Sequence, residues 1–170
     1  MDRITEAAGV SKRTVYNYFE SKAELFKETI NVLANRLKRN AVVKYYPEKP
    51  LRAQLLDLGN SKADVLRSQE FMQLVRMAMS ETLRDPNTSQ ALKQKSEVHS
   101  EFSEFFEDAI KHGAFRCDDP KKIEDQFIGL IKARAFWPAI FDGSILSPDE
   151  MKQVVEESAD TILAAFSNDK

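Results

Sequence analysis

The chain has one cysteine, Cys117, among its 170 residues, so it can form no internal disulfide, and a reducing compartment is expected. Five glycines and six prolines offer few positions for tight turns, which favours long helices over short strands. The apolar run at residues 135–141 is too short to cross a membrane and contains Pro138. Acidic and basic side chains interrupt the first part of the chain, so we expect no secretory signal peptide and a cytoplasmic protein.

The sequence also has few residues suited to catalysis or metal binding. Its two histidines, His99 and His112, do not have the spacing of a metal-ligand pair. No glycine-rich phosphate loop is present, and no candidate base neighbours Cys117 in the sequence. Adjacent carboxylates such as Asp118 and Asp119 fit helix caps and exposed faces better than catalytic pairs. We therefore expect no enzyme activity, no metal and no cofactor.

Charge and apolar surface are present in proportions typical of a folded protein. Apolar residues make up 42% of the chain and charged residues 31%, which argues against a disordered protein. The net charge of −2 hides an asymmetry, because residues 1–40 carry eight Lys or Arg against five Asp or Glu. A locally basic region is typical of a protein that contacts DNA phosphates. An excess of this size is also common by chance, so it decides nothing alone.

The stretch 8–26, AGVSKRTVYNYFESKAELF, has the features of a helix-turn-helix. Gly9 can adopt the left-handed conformation that ends a helix, and Ser11 can cap the next one. Residues 12–18 then form a short helix rich in cationic, hydroxyl and amide side chains. Ser21 and Glu24 have the spacing of a capping box, which predicts a further helix from Ser21 to about residue 39.

This stretch resembles the corresponding part of the TetR-type (tetracycline-repressor-like) regulators. The residues that match the family pattern are Ala8, Gly9, Val10, Ser11, Tyr16, Phe19, Lys22 and Leu25. The resemblance implies an all-α protein, in which a helix-turn-helix region at residues 1–39 precedes a helical effector-binding and dimerisation domain at residues 40–170. It also implies a sequence-specific DNA-binding regulator, usually a repressor that a small-molecule effector releases from double-stranded operator DNA.

Members of this family have a further helix before the one that begins this chain. That helix would cover an apolar face of the helix-turn-helix, which comprises Ile4, Ala8, Val10, Val15, Phe19 and Leu25. Without such a lid we expect Ile4, Ala8 and Val15 to be exposed, although burying an apolar side chain is worth about 1.5–3 kcal/mol. This motivates an alternative function, a dimeric ligand-binding or interaction protein whose DNA-binding unit is disabled.

If residues 12–18 are the recognition helix, the predicted DNA-binding residues are Ser11, Lys12, Arg13, Thr14, Tyr16, Asn17, Tyr18 and Lys22. The two cations at the start of the helix can reach guanine O6 and N7, and Asn17 can pair with adenine. The Thr and Tyr hydroxyl groups suit phosphate oxygens, although the Tyr16 ring can equally pack on the core. The resemblance assigns Lys22 a phosphate contact. The alternative for each residue is an ordinary solvated side chain.

Periodicity predicts further helices after a break at residues 46–50. The first of these is weakened near Gly59, where a residue without a side chain interrupts the apolar stripe. Ser68 can cap the second, which ends at residues 85–87.

The remaining chain predicts three more helices, for about eight in total. One covers about residues 89–111 and stops at Gly113. The last two start at residues 119–120 and 147–148, where an Asp or Ser cap precedes proline. The earlier of these two runs toward Pro138.

The C-terminal helices supply candidates for an effector pocket and for a dimer interface. The predicted pocket residues are Phe71, Val75, Met79, Phe102, Phe106, Phe136 and Trp137, and their alternative role is ordinary core. Arg76 and Arg134 can pair either with an anionic effector or with nearby glutamates. The apolar stripes of the last two helices suit a homodimer interface, as the resemblance implies, or packing within the monomer.

Overall fold

The computed structural model describes residues 2–21, 24–29, 31–32, 44–84 and 102–168. Its regular elements are helices, namely α1 (Asp2–Ala8), α2 (Lys12–Tyr18), α3 (Leu51–Leu66), α4 (Gln69–Arg84), α5 (Ser103–Lys111), α6 (Pro120–Phe141) and α7 (Pro148–Phe166). Residues 24–29 and 31–32 are also helical. Among the described residues the one isolated β-bridge pairs Phe115 with Ser167. The predicted all-α fold class is confirmed.

The chain divides into two compact units, residues 1–36 and 37–170. The boundary predicted between residues 39 and 40 lies outside the described residues, as do the predicted helix end at 85–87 and the start of the helix predicted at 89–111. In the second unit α7 packs against both α3 and α6, α5 packs against α6, and α4 contacts α3 and α6.

Buried phenylalanines form the centre of the second unit. The rings of Phe105 and Phe106 meet edge to face with their centroids 5.2 Å apart. The Phe106 ring also lies 6.4 Å from that of Phe127, which joins α5 to α6. Aromatic pairs of this geometry contribute about 0.5–1.5 kcal/mol beyond the burial of their area.

The apolar stripes of α6 and α7 face inward. Their buried residues are Ile123, Phe127, Ile131 and Ala135 on α6, and Val154, Val155, Ala159 and Ile162 on α7. Because α7 packs against α3 and α6, these side chains are covered within the chain. Of the two interpretations of the stripes, packing within the monomer is therefore correct for these residues. A homodimer would need another face, and it stays a prediction.

The predicted helix-end signals of the second unit are present where the structure describes them. The Asp119 carboxylate accepts a backbone N–H of the first turn of α6 at 3.0 Å. The Ser147 hydroxyl accepts the Glu150 N–H at 3.3 Å, and the Glu150 carboxylate accepts the Ser147 N–H at 2.8 Å, which completes a capping box. The Ser68 hydroxyl accepts the N–H three residues later at 3.2 Å. Gly113 follows α5 with φ +74°.

Two features of the long helices differ from the sequence prediction. The weakening predicted near Gly59 is wrong, because α3 continues through it. Gly59 is instead the point of closest approach to α7, and a Cβ there would lie 2.5 Å from Val155 Cγ1. Helix α6 also extends beyond Pro138, which has no N–H and so leaves one backbone hydrogen bond of the helix unmade. The ladder resumes at once, since the Asp142 N–H donates to the Pro138 carbonyl at 2.9 Å.

Candidate nucleic-acid interface and effector region

A tight turn joins α1 to α2. Gly9 has φ +64°, which an L side chain adopts only with strain. Its N–H donates to the Glu6 carbonyl at 3.2 Å, and the Val10 N–H donates to the Thr5 carbonyl at 3.1 Å. These are the two hydrogen bonds of a Schellman motif. The turn that Gly9 predicts is therefore present.

Ser11 begins α2 as its N-cap. Its Oγ accepts the Thr14 N–H at 3.0 Å and lies 2.8 Å from the Thr14 hydroxyl. Val15 is the residue that α2 buries, with 8% of its surface exposed. Ser11 thus caps the N-terminus of α2, and its Oγ is within hydrogen-bond distance of the Thr14 hydroxyl.

The opposite side of α2 is exposed. Its exposed residues are Lys12, Arg13, Thr14, Tyr16, Asn17 and Tyr18. The Tyr16 side chain is 46% exposed, so the core does not enclose its ring. Lys12 and Tyr16, like Arg13 and Asn17, are four residues apart and share a helix face. The structure therefore leaves two cations, an amide and two phenols of α2 accessible.

Lys12 has a partner that the sequence did not predict. Its Nζ lies 2.7 Å from Oδ1 of Asp2, and both side chains are exposed. The hydrogen bond and the opposite charge raise the pKa of Lys12 and lower the pKa of Asp2. No periodic pattern signals this pair, because a glycine turn separates α1 from α2.

The residues after α2 are partly described. Lys22, the predicted phosphate contact, lies outside the described residues. The Ser21 hydroxyl accepts the Glu24 N–H at 3.1 Å, as a capping residue does. The Glu24 carboxylate accepts the N–H of Glu20 at 2.6 Å, one residue earlier than the predicted capping box requires. The serine half of the predicted box is therefore present.

The predicted buried face of the helix-turn-helix is only partly covered, and its Phe19 and Leu25 are half-buried. Val15 is buried, but Ile4 is 38% exposed and Val10 is 41% exposed, and Ala8 is exposed as well. Assigning Val10 to a buried face is therefore wrong. The expected exposure is present at Ile4 and Ala8 and is wrong for Val15.

The predicted effector-pocket residues fall into three environments. Phe71, Val75, Phe102 and Phe106 are buried in the core, and Met79 and Phe136 are half-buried. Trp137 is 43% exposed and stacks on Phe141, with ring centroids 6.0 Å apart. It therefore faces the surface of the second unit rather than its interior.

The two predicted arginines have neighbours within the chain. Arg134 on α6 forms an ion pair with Glu157 on α7, which is the ordinary alternative for this residue. Arg76 lies beside Gly143, since its guanidinium is 3.2 Å from where a Cβ of that glycine would be. Its charge also lowers the pKa of Asp142, after the larger effect of the Ser144 hydrogen bonds.

A polar cluster on three helices was not predicted. Lys62 of α3 lies over the Phe102 ring, with Nζ 4.6 Å from its centroid. Glu124 of α6 is buried, and its Oε2 accepts the Ser103 hydroxyl at 3.2 Å. Lys132 lies two turns farther along α6. Lys62 is 41 positions from Ser103 and 62 from Glu124 in the sequence, so no local pattern could have joined α3 to α5 and α6.

The described residues were also searched for a metal site and for a membrane-spanning helix, and contain neither. They contain no group of three or more His, Cys, Asp or Glu side chains placed to hold a metal ion. No helix among them is both long and apolar enough to cross a bilayer.

Comparisons with known proteins match most of the chain. A family model described as the C-terminal domain of AefR-like transcriptional repressors matches residues 53–168, and one for bacterial regulatory proteins of the tetR family matches residues 1–29. The HTH-type transcriptional regulator YhgD of Bacillus subtilis (strain 168) is 26% identical, over 91% of this chain and 78% of its own.

Two solved structures share the fold. A TetR family transcriptional regulator from Pseudomonas syringae pv. tomato str. DC3000 is 36% identical with a TM-score of 0.85, over 99% of this chain and 86% of its own. The flavonoid-responsive regulator FrrA is 25% identical with a TM-score of 0.75, over 100% of this chain and 87% of its own.

Proposed function

Because the chain belongs to the TetR family of bacterial DNA-binding regulators, we propose that it is a repressor whose small-molecule effector releases it from operator DNA. The proposal includes no enzymatic reaction, no metal and no cofactor, and it places the protein in the cytoplasm. That FrrA is named for its response to flavonoids supports proposing a small-molecule effector here.

The observation that carries the proposal is the surface of α2. The helix buries Val15 and leaves the cations of its first turn exposed. Residues near the start of a recognition helix reach base edges in the major groove. We assign Arg13 and Lys12 to guanine and Asn17 to adenine. Other hydroxyl and ammonium groups contact phosphates, namely those of Ser11, Thr14, Tyr16, Tyr18 and Lys22.

A homodimer is part of this proposal, through a face of α6 other than its buried stripe. Leu130, Trp137 and Phe141 are exposed, and with Arg134 they follow the spacing of a helical contact stripe. The Arg134–Glu157 pair borders that face on α7. A second copy can cover it with the same surface, as a two-fold interface requires. The four helices of two subunits would then form a bundle.

The proposed mechanism depends on the distance between the two recognition helices of the dimer. A dimer reads two half-sites about 34 Å apart, one turn of DNA. An effector bound in the C-terminal domain changes the spacing of the two recognition helices, and a mismatched pair loses affinity for the operator. The residues proposed for that effector site are the half-buried and buried candidates Phe71, Val75, Met79, Phe102, Phe106 and Phe136, with Trp137 at its margin.

The test is binding of the full chain to DNA from upstream of its own gene, followed by fluorescence anisotropy across a salt series. We expect Arg13→Ala to weaken specific binding about tenfold to a hundredfold, since a bidentate guanine contact is worth about 1–3 kcal/mol. Lys152→Ala removes an exposed cation of α7 and should leave binding unchanged. Equal losses in both variants would contradict the role of α2. A wild-type chain that dimerises without binding any specific site would favour the alternative, a ligand-binding protein with a disabled DNA-binding unit.

A further inference from the structure

The connector at residues 44–50 is held firmly although it contains no helix or strand. It is the first described stretch of the second unit and leads into α3. The Lys49 N–H donates to the Tyr46 carbonyl at 3.1 Å, which closes a turn with Pro47 at its second position. Proline presets the backbone angle that this position requires. We call residues 45–49 the strap.

Gln54, one turn into α3, clamps the backbone of the strap. Its Oε1 accepts the Tyr46 N–H at 2.7 Å, and its Nε2 donates to the Tyr46 and Lys49 carbonyls at 2.9 and 3.0 Å. The glutamine is 3% exposed, so a released strap would leave buried polar groups unpaired. One side chain of α3 therefore fixes both backbone polar groups of Tyr46.

Tyr45 anchors the strap on α5. Its ring meets the Phe105 ring edge to face, with centroids 5.6 Å apart, and lies 5.7 Å from the His112 ring. Phe105 is buried in the aromatic core of the unit. The neighbouring Tyr46 is 42% exposed, and its ring lies 4.2 Å from Lys49 Nζ. The strap is thus attached to α3 by its backbone and to α5 by the Tyr45 side chain.

These attachments fix the place where the chain enters the second unit. A connector that only joins two units needs neither a buried amide clamp nor an aromatic anchor. The sequence predicts a helix from Ser21 to about residue 39, whose end lies outside the described residues. Because a helix is a stiff spacer, such a helix and a short connection would pass a restraint at the strap to the first unit.

We propose that the docked strap positions the DNA-reading unit, with Tyr45 and Gln54 as positioning residues that keep the two α2 helices of a dimer at the separation the operator requires. The inference rests on the proposed function, including its homodimer, and it names residues that set the reading distance. A dimer on both half-sites gains affinity from the effective concentration of its second α2 helix. Release of the strap spreads that helix over more positions and lowers this concentration, whereas binding to one half-site does not depend on it.

The first test compares the whole operator with a single half-site, using the full chain and the site that it binds upstream of its own gene. We expect Tyr45→Ala to weaken binding to the whole site about tenfold and to leave the half-site unchanged. This variant should also bind half-sites moved apart by one base pair, which the wild type rejects. Tyr45→Phe keeps the ring and should restore both properties. Tyr46→Ala, the matched control, removes a neighbouring ring outside the clamp and should change neither.

The second test contains no DNA. Spin labels are attached at Glu6→Cys and Lys152→Cys, two exposed positions, in a Cys117→Ser chain that is diluted with unlabelled protein. Double electron–electron resonance then measures the distribution of distances between the two units of one chain. We expect this distribution to broaden in Tyr45→Ala and in Gln54→Met, which keeps the side-chain length but removes the clamp.

The outcomes separate positioning from ordinary packing. Equal losses on the whole site and the half-site in Tyr45→Ala, or equal broadening in Tyr46→Ala, would overturn the inference. A lower thermal midpoint in Tyr45→Ala and Gln54→Met with unchanged distances and spacing preference would overturn it too, because the strap would then only cover the core. If the wild type bound no upstream site, the proposed function would fail, and the distance distributions would still show whether the strap restrains the first unit.

Discussion

Gly59 of α3 lies directly against Val155 of α7, and a Cβ built on Gly59 would come within 2.5 Å of Val155 Cγ1 and 3.4 Å of its Cγ2. The Phe127 ring of α6 is also close, at 3.3 Å from the same position. Helices α3, α6 and α7 therefore meet at a residue without a side chain. The approach is closer than real Cβ contacts allow, so a larger residue requires the Val155 side chain or the helices themselves to shift.

The first prediction follows from this contact. Gly59→Ala should lower the free energy of unfolding, because overpacking a core usually costs about 1–3 kcal/mol. The helix propensity of alanine offsets about 1 kcal/mol of this cost, so we expect a net destabilisation of up to about 2 kcal/mol. Urea denaturation followed by circular dichroism measures the difference.

Gly129 provides the matched control. It lies inside α6, and nothing is within 4 Å of where its Cβ would be. Gly129→Ala should therefore stabilise the chain by up to about 1 kcal/mol through helix propensity alone. If both substitutions shifted stability in the same direction, the packing role of Gly59 would be wrong.

The second prediction concerns the Lys12–Asp2 ion pair. A phosphate or base must replace the Asp2 carboxylate, 2.7 Å from Lys12 Nζ, before that lysine can contact DNA. Asp2→Asn should tighten operator binding about twofold to threefold at low salt, since an exposed pair is weak. The gain should shrink as salt screens the interaction. Glu6→Gln removes an exposed charge from the same helix; an equal gain there would show that net charge, not the pair, is responsible.

The third prediction is a pH dependence. Burial raises the pKa of the Glu124 carboxyl above its ordinary value of 4.5, and the Ser103 hydrogen bond only partly offsets this. A raised carboxyl pKa means that the folded state holds the proton more tightly. Its contribution to stability is therefore complete below pH 4.5 and is lost as the pH rises through the raised pKa.

Glu124→Gln should accordingly stabilise the protein at pH 7 by about 1 kcal/mol, the order of a buried polar group's desolvation. The advantage should shrink toward zero below about pH 4, where the wild-type carboxyl is protonated. Thermal unfolding across this range measures it, and Glu104→Gln, at an exposed position of α5, is the control. An advantage that did not depend on pH would contradict the buried charge as its cause.

The fourth prediction concerns the end of α7. The Arg116 guanidinium donates to the Ala164 carbonyl at 3.2 Å and to the Ala165 carbonyl at 2.6 and 3.0 Å, and its backbone N–H donates to the Phe166 carbonyl at 2.8 Å. It thus satisfies the free carbonyls of the helix end. Arg116→Met should cost about 1 kcal/mol and speed amide exchange in the last turn of α7. Arg116→Lys keeps the charge without the planar fork, so it should recover part of the loss.

The fifth prediction tests the proposed dimer face. Phe141 is 78% exposed and stacks on Trp137. Phe141→Glu should raise the dimer dissociation constant about thirtyfold, as expected for an anchor worth ~2 kcal/mol. Leu83→Glu changes an apolar residue of α4 that is 85% exposed and serves as the control. Sedimentation analysis measures both variants, and dissociation by Leu83→Glu alone would place the interface elsewhere.

The helix ends and the turn of the helix-turn-helix could be predicted because their interactions are local. The Gly9 turn, the Ser11 cap and the Ser147 capping box depend on hydrogen bonds between residues at most five positions apart. A short pattern of residue types is enough to specify such bonds. The same local pattern carried the resemblance to the TetR family, which the comparisons confirmed.

The burial of individual side chains and the contacts between distant helices could be seen only in the tertiary structure. Periodicity could not tell the buried Phe127 from the exposed Trp137 on the same helix, nor Gly59, pressed against Val155, from the open Gly129. The cluster of Lys62, Glu124 and Lys132 likewise joins two helices that are distant in the sequence. Each of these outcomes depends on which faces of α3, α6 and α7 meet, and the packing of the whole unit selects those faces.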